Sequence, residues 1–130
     1  MVYSLVVANS SCNVIWALVS LLKLVCHQGD IVTAFLHALI GDQIVYVQQP
    51  PGYAQKPTSG KRLACRLRKA LYGLWQSPLL WYGRAVEWAQ QHGFHLLTYD
   101  ICILKGPRPY TFIVFYMDDF LFLAPTEEEV

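Results

Sequence analysis

Two strongly apolar stretches, residues 111–116 and 120–124, flank the tripeptide Met117-Asp118-Asp119. Short runs of β-branched and aromatic residues on either side of a polar turn predict an antiparallel hairpin, here with carboxylates at its tip. Strands this apolar need a core behind them, and the composition allows one. Of 130 residues, 55% are hydrophobic and only 15% charged, far from the polar signature of disorder. A chain of this length forms one domain and buries roughly two thirds of its unfolded surface. Few charges remain to cover the outside, so an apolar patch meant for a partner or a further segment is expected, with poor solubility in isolation.

The remaining pattern is mixed. Residues 14–26 are apolar nearly all round, with Asn13 as a candidate N-cap, and predict a buried helix. A short strand ending near Asp30 and a brief helical turn over 33–40 follow, the turn stopped by Gly41. Residues 44–49 alternate as a strand until Pro50-Pro51-Gly52, since proline cannot donate to a ladder. A second strand is expected within 62–67. Ser77-Pro78 is a helix-start signal: the hydroxyl can cap free amides and proline is preset at helical φ. Trp81, Ala85, Trp88 and Ala89 then fall on one helical face until Gly93, which reads as core packing. The fold class is α+β: a small antiparallel sheet holding the hairpin, with helices 14–26 and 78–92 packed on one face.

Charge and cysteine usage exclude several classes. Ten basic against nine acidic residues give a net charge of +1, so nucleic-acid binding must be local rather than driven by a bulk field. The basic residues cluster as Lys61, Arg62, Arg66, Arg68 and Lys69, a pattern equally suited to a solvated face. Cys12, Cys26, Cys65 and Cys102 are scattered without zinc-ligand spacing, which fits a reducing, intracellular compartment. The apolar run 14–22 is far shorter than the roughly 20 residues of a membrane span, and no signal peptide is expected.

Adjacent aspartates in a turn are ordinarily turn-formers. They also suit phosphoryl transfer, in which carboxylates hold divalent ions that activate a hydroxyl and stabilise leaving oxygens. Neighbouring strand residues point to opposite faces, so a further carboxylate from elsewhere is needed, and Asp30 is the candidate; its alternative is a helix N-cap. Adjacent aspartates would also serve an unrelated aspartate-nucleophile phosphohydrolase.

Four blocks in order weigh against that alternative: Gly29-Asp30-Ile31-Val32-Thr33-Ala34-Phe35-Leu36, then Tyr46-Val47-Gln48-Gln49-Pro50-Pro51-Gly52-Tyr53, then Cys65-Arg66-Leu67-Arg68-Lys69-Ala70-Leu71-Tyr72-Gly73-Leu74-Trp75-Gln76-Ser77-Pro78, and finally Tyr116-Met117-Asp118-Asp119. Together they resemble the reverse transcriptase of copia-type retrotransposons, over roughly residues 15–124. The resemblance implies a palm-like sheet in an incomplete domain: residues 1–13 an unassigned N-terminal segment, 14–124 a partial fingers and palm domain, and 125–130 an acidic tail. It implies RNA-directed DNA polymerase activity with Mg²⁺, or Mn²⁺ in its place, held by Asp30 and Asp118 with Asp119 assisting. Phe35 would lie under the incoming sugar, with core packing as its alternative. Tyr72, Gly73 and Gln76 would lie near the nascent base pair, Tyr116 and Met117 at the primer end, and Arg66, Arg68 and Lys69 against phosphates.

Implied partners are an RNA template, a DNA primer, deoxynucleotides and other parts of a retroelement polyprotein, with no membrane. The implied location is a cytoplasmic virus-like particle or the nucleus. The chain departs from the family pattern at Val32, Trp75 and Leu79, where basic residues are usual, and at His37-Ala38 in place of Asn-Gly. These losses weaken the grip on a polyphosphate. The isolated chain is therefore expected to be inactive or very weakly active, and a non-catalytic, degenerate element remnant that at most binds a partner is the second reading.

Overall fold

The computed structural model describes residues 5–58 and 60–129. In chain order the elements are α1 (Asn9–Leu22), β1 (Val25–Asp30), a 3-10 turn (Ala34–His37), β2 (Tyr46–Val47), β3 (Cys65–Arg66), α2 (Ser77–Gln91), β4 (His95–Leu96), β5 (Ile103–Lys105), β6 (Phe112–Tyr116), β7 (Asp119–Ala124) and a closing 3-10 turn (Glu127–Glu129). Five strands form one antiparallel sheet in the order β1-β7-β6-β5-β4, while β2 and β3 make a separate two-stranded ribbon. The architecture is mixed α and β, with an antiparallel sheet and two helices.

The expected hairpin is β6–β7, paired from Phe112↔Leu123 to Tyr116↔Asp119. On its far side β7 pairs with β1, from Val25↔Ala124 to Asp30↔Asp119. Side chains directly opposite one another share a face. Cys26, Gln28, Asp30, Leu121, Leu123, Asp119, Val114 and Tyr116 therefore stand on one side, and His27, Gly29, Phe120, Phe122, Ile113 and Phe115 on the other.

Both sides are covered, contrary to the expectation that the helices share one. Ile113, Val114 and Phe115 are successive in β6 and all buried. A cavity of about 350 Å³ lies between α2 and the Phe side, lined by Trp81, Ala85 and Trp88 against Ile113, Phe115, Phe120 and Phe122. The opposite side buries Ile103, Val114 and Leu123 in one cluster with Val7, Ile15 and Leu24, the apolar groups that residues 5–8, α1 and its C-terminal link provide.

The helices differ from expectation in detail. α1 begins at Asn9 rather than after Asn13, and its N-cap, Ala8, offers no side-chain cap. Only Ile15 is fully buried, whereas Val14, Trp16 and Leu21 are exposed, Leu21 at 77%. A helix lying against other elements buries one stripe, whatever the composition of the rest. In α2 the buried stripe is Trp81, Ala85, Val86 and Ala89. Trp88 is exposed and stacks on His92, ring centroids 4.3 Å apart. Ser77 does not cap this helix. Its hydroxyl donates to the Leu71 carbonyl at 2.6 Å and accepts the Leu71 N–H at 3.1 Å, closing the loop ahead of the helix, and the N-cap is Gln76.

Gly29 has a steric reason. It pairs with Phe120, and a Cβ added to it would lie 2.3 Å from the end of the Phe120 ring, so only a bare Cα lets the ring lie across β1. Among the described residues the cysteines are free thiols. No described helix is long and apolar enough to cross a membrane. Gly29→Ala is expected to displace Phe120 and destabilise the chain by about 1–3 kcal/mol, the usual cost of overpacking, as measured by urea unfolding.

Candidate metal and nucleic-acid site

The hairpin tip is a two-residue turn, Met117-Asp118, between Tyr116 and Asp119. Met117 has φ 59°. One left-handed residue at the first central position is the pattern of a tight turn that matches the twist of its strands. For a residue other than glycine this conformation costs roughly 1–2 kcal/mol, so it persists only where its surroundings impose it.

The register brings the separated acids together. Asp30 ends β1 directly opposite Asp119, the first residue of β7, and Tyr116 lies opposite Asp119 on β6. Directly opposed residues hold their Cβ atoms roughly 4.5–5.5 Å apart, and like charges so placed repel. Among the described residues neither aspartate has an ion-pair partner. Asp118 occupies the turn beside them and, like Asp119, is half-buried, while Asp30 is exposed.

The donor set fits a hard divalent cation, because Mg²⁺ is commonly held by one or two carboxylates and completes its shell with water and substrate phosphate. The fit is to a carboxylate pair. Among the described residues no group of three or more His, Cys, Asp or Glu side chains is arranged to hold a metal ion.

The other sequence-predicted residues fall into three places. Phe35 is 93% buried, being 7% exposed, and its ring lies against that of Tyr72 with centroids 4.4 Å apart. This contact ties the turn after β1 to the loop that precedes α2. Gly73 is exposed with φ 91°, a conformation suited to glycine. Gln76 is also 7% exposed, and its buried Oε1 has no hydrogen-bond partner. A buried amide oxygen left unpaired costs about 1–3 kcal/mol. Tyr116 and Met117 are exposed at the hairpin tip.

Arg66, Arg68 and Lys69 are exposed on the ribbon side rather than on the sheet. Arg66 pairs with Tyr46, the Arg68 carbonyl accepts the Ile40 N–H at 3.1 Å, and Lys69 bridges Leu39. Sequence reading missed one contributor to the tip. The Met117 N–H donates to the Leu5 carbonyl at 3.2 Å and Val6 bridges Tyr116, a contact more than a hundred positions apart that no local sequence pattern signals.

The family model for reverse transcriptase (RNA-dependent DNA polymerase) matches residues 1–129. The chain belongs to the reverse transcriptase family. It is 32% identical over 127 residues to the retrovirus-related Pol polyprotein from transposon TNT 1-94 of Nicotiana tabacum, covering 95% of this chain and 9% of that protein. It is 35% identical over 96 residues to the Pol polyprotein from transposon RE2 of Arabidopsis thaliana, covering 72% and 6%. A putative transposon Ty5-1 protein of Saccharomyces cerevisiae is 33% identical over 103 residues, covering 75% and 31%.

This reverse transcriptase segment is thus of the copia-type retrotransposon kind and spans less than a tenth of the tobacco and Arabidopsis polyproteins. No solved structure matches it. Within this segment, Met117→Gly is expected to relieve the left-handed strain and, after the added freedom of the unfolded chain, to stabilise by about 0.5–1 kcal/mol. Thermal unfolding monitored by circular dichroism checks this.

Proposed function

We propose that this chain is the palm-like part of an RNA-directed DNA polymerase and that Asp30, Asp118 and Asp119 serve as its catalytic carboxylates. The observation that carries the reading is the register that sets Asp30 against Asp119 at the base of the hairpin turn. A bound Mg²⁺ or Mn²⁺ would lower the pKa of a primer 3′-hydroxyl and stabilise charge on the transferred phosphate. The protein's own share is positioning. Asp30 and Asp119, directly opposed on one sheet face, would hold the ion, and Asp118 would stand beside them in the turn, outside that pair. The register favours Asp119 as the first partner of Asp30, whereas the family resemblance favours Asp118.

Tyr116 and Met117 would meet the primer end, with Phe35 beneath Tyr72 forming the floor near the incoming sugar and Gln76 supplying an amide for the nascent pair. Arg66, Arg68 and Lys69 would take phosphates along the ribbon. RNA template, DNA primer, deoxynucleotides and the rest of a retroelement polyprotein are the corresponding partners. An intracellular particle or the nucleus is the corresponding place of action.

A second reading, a binding remnant without catalysis, draws on the departures from the family pattern. Val32, Trp75 and Leu79 are 76%, 70% and 60% exposed, so apolar side chains face solvent where the family pattern is basic. Calorimetric titration with Mn²⁺ separates the two. Under the polymerase reading, wild type binds, and Asp30→Asn and Asp119→Asn each weaken binding at least about tenfold, or about 1.4 kcal/mol. Primer extension on an RNA template complements it: any extension by the wild-type chain that survives Asp118→Asn undiminished would refute the role given to Asp118.

A further inference from the structure

Residues 5–8 lie along the part of β6 that β5 leaves uncovered. β5 pairs with β6 only from Lys105↔Phe112 to Ile103↔Val114, and the last bond on that side runs from the Phe115 N–H to the Cys102 carbonyl at 2.8 Å. Beyond it Tyr116 is bridged to Val6, and the Met117 N–H reaches the Leu5 carbonyl. The left-handed residue of the acid-bearing turn is therefore held by the opposite end of the chain. Val7, 5% exposed, anchors this segment in the core.

Asp100 fastens its other end. Oδ2 accepts the Ala8 N–H at 3.0 Å and Oδ1 accepts the Cys102 N–H at 3.0 Å, and the Ser11 side chain bonds the same carboxylate. One carboxylate thus joins the start of α1 to the strand link that reaches β6. α1 has no acidic residue in its first turn and no side-chain cap of its own, so Asp100 also supplies the negative charge that a helix N-terminus favours. The hydrogen bonds close a ring: Asp100 to Ala8, Leu5 to Met117, Phe115 to Cys102, and Cys102 back to Asp100.

We propose that Asp100 is a positioning residue for the hairpin turn: by fastening residues 5–8 as a strap on β6, it holds the Met117 amide and keeps Asp118 and Asp119 aligned with Asp30. Its catalytic consequence rests on the polymerase reading above, whereas the strap itself does not. A non-glycine residue at φ 59° relaxes when its restraints are removed, and the strap is a restraint that binds its amide directly.

Protonation gives an independent signature. Burial raises the Asp100 pKa, but the bonds from Ser11, Ala8 and Cys102 outweigh it and hold the carboxyl below its ordinary value of 3.8. The strap's contribution is then fully present above pH 3.8 and lost as pH falls through the lower folded-state value. The ionisable neighbours coupled to it, Cys102 and Tyr82, are pushed up to about 11 and about 12 and stay neutral throughout.

The test is amide hydrogen exchange by NMR on the 130-residue chain, with Mn²⁺ titration alongside. In Asp100→Ala the Met117 amide should exchange about tenfold faster or more, while the Gly106 amide, bonded to Thr111 at 2.7 Å at the other end of β6, keeps its rate. Asp100→Asn retains one acceptor oxygen and should fall between, and it carries the test if the alanine variant does not fold. The amide shift of Ala8, which donates directly to Asp100 Oδ2, should titrate below pH 3.8 in wild type and in neither variant. Unchanged Met117 exchange, or equal acceleration at Met117 and Gly106, overturns the proposal. Absence of Mn²⁺ binding by wild type sinks the metal reading instead, and the exchange result still decides the strap.

Discussion

The pairing of β1 with β7 is the constraint on which the rest depends. It joins an early segment to the last strand, so that Asp30 meets Asp119 although most of the chain lies between them. A slip of one residue would turn Asp30 to the opposite face and the site would be lost. What pins the register is apolar packing: Phe120 crosses the bare Cα of Gly29, and Leu123 and Ala124 are fully buried at the far end of the pair. The acids themselves repel, so their juxtaposition is imposed by the neighbours and not chosen by the carboxylates.

A second linkage organises the region behind the tip. The ring contact of Phe35 with Tyr72, the hydroxyl of Ser77 clamped to Leu71, and the seating of α2 on the Phe side of the sheet connect two of the four sequence blocks with the strands that carry the acid-bearing turn. The unpaired oxygen of Gln76 lies at the start of that helix. Blocks far apart in the chain thus meet through ordinary core contacts, which is why their order in the sequence carries structural information.

The hairpin was legible because apolar strands around a polar turn leave little alternative, and the meeting of Asp30 with Asp119 was legible because Asp30 is the lone acid in residues 1–41. Two-sided burial was also written in the sequence. Residues 112–115 form an unbroken apolar run rather than an alternation, the pattern of a strand covered on both faces. The start of α1 was not legible, since its cap comes from Asp100, some ninety positions away, and no local window contains that bond. Ser77 was misread for a related reason: its hydroxyl had a local use and a tertiary one, and the tertiary one prevailed.

Among the described residues β1 stands at the margin of the five-stranded sheet, paired on one side. Marginal strands fray before central ones, since fewer bonds must break to release them. Asp30 sits at the terminus of that strand. Mild warming or dilute denaturant would therefore part the two acids while β5, β6 and β7 remain assembled, so the juxtaposition of Asp30 with Asp119 would vanish well ahead of any global melting signal.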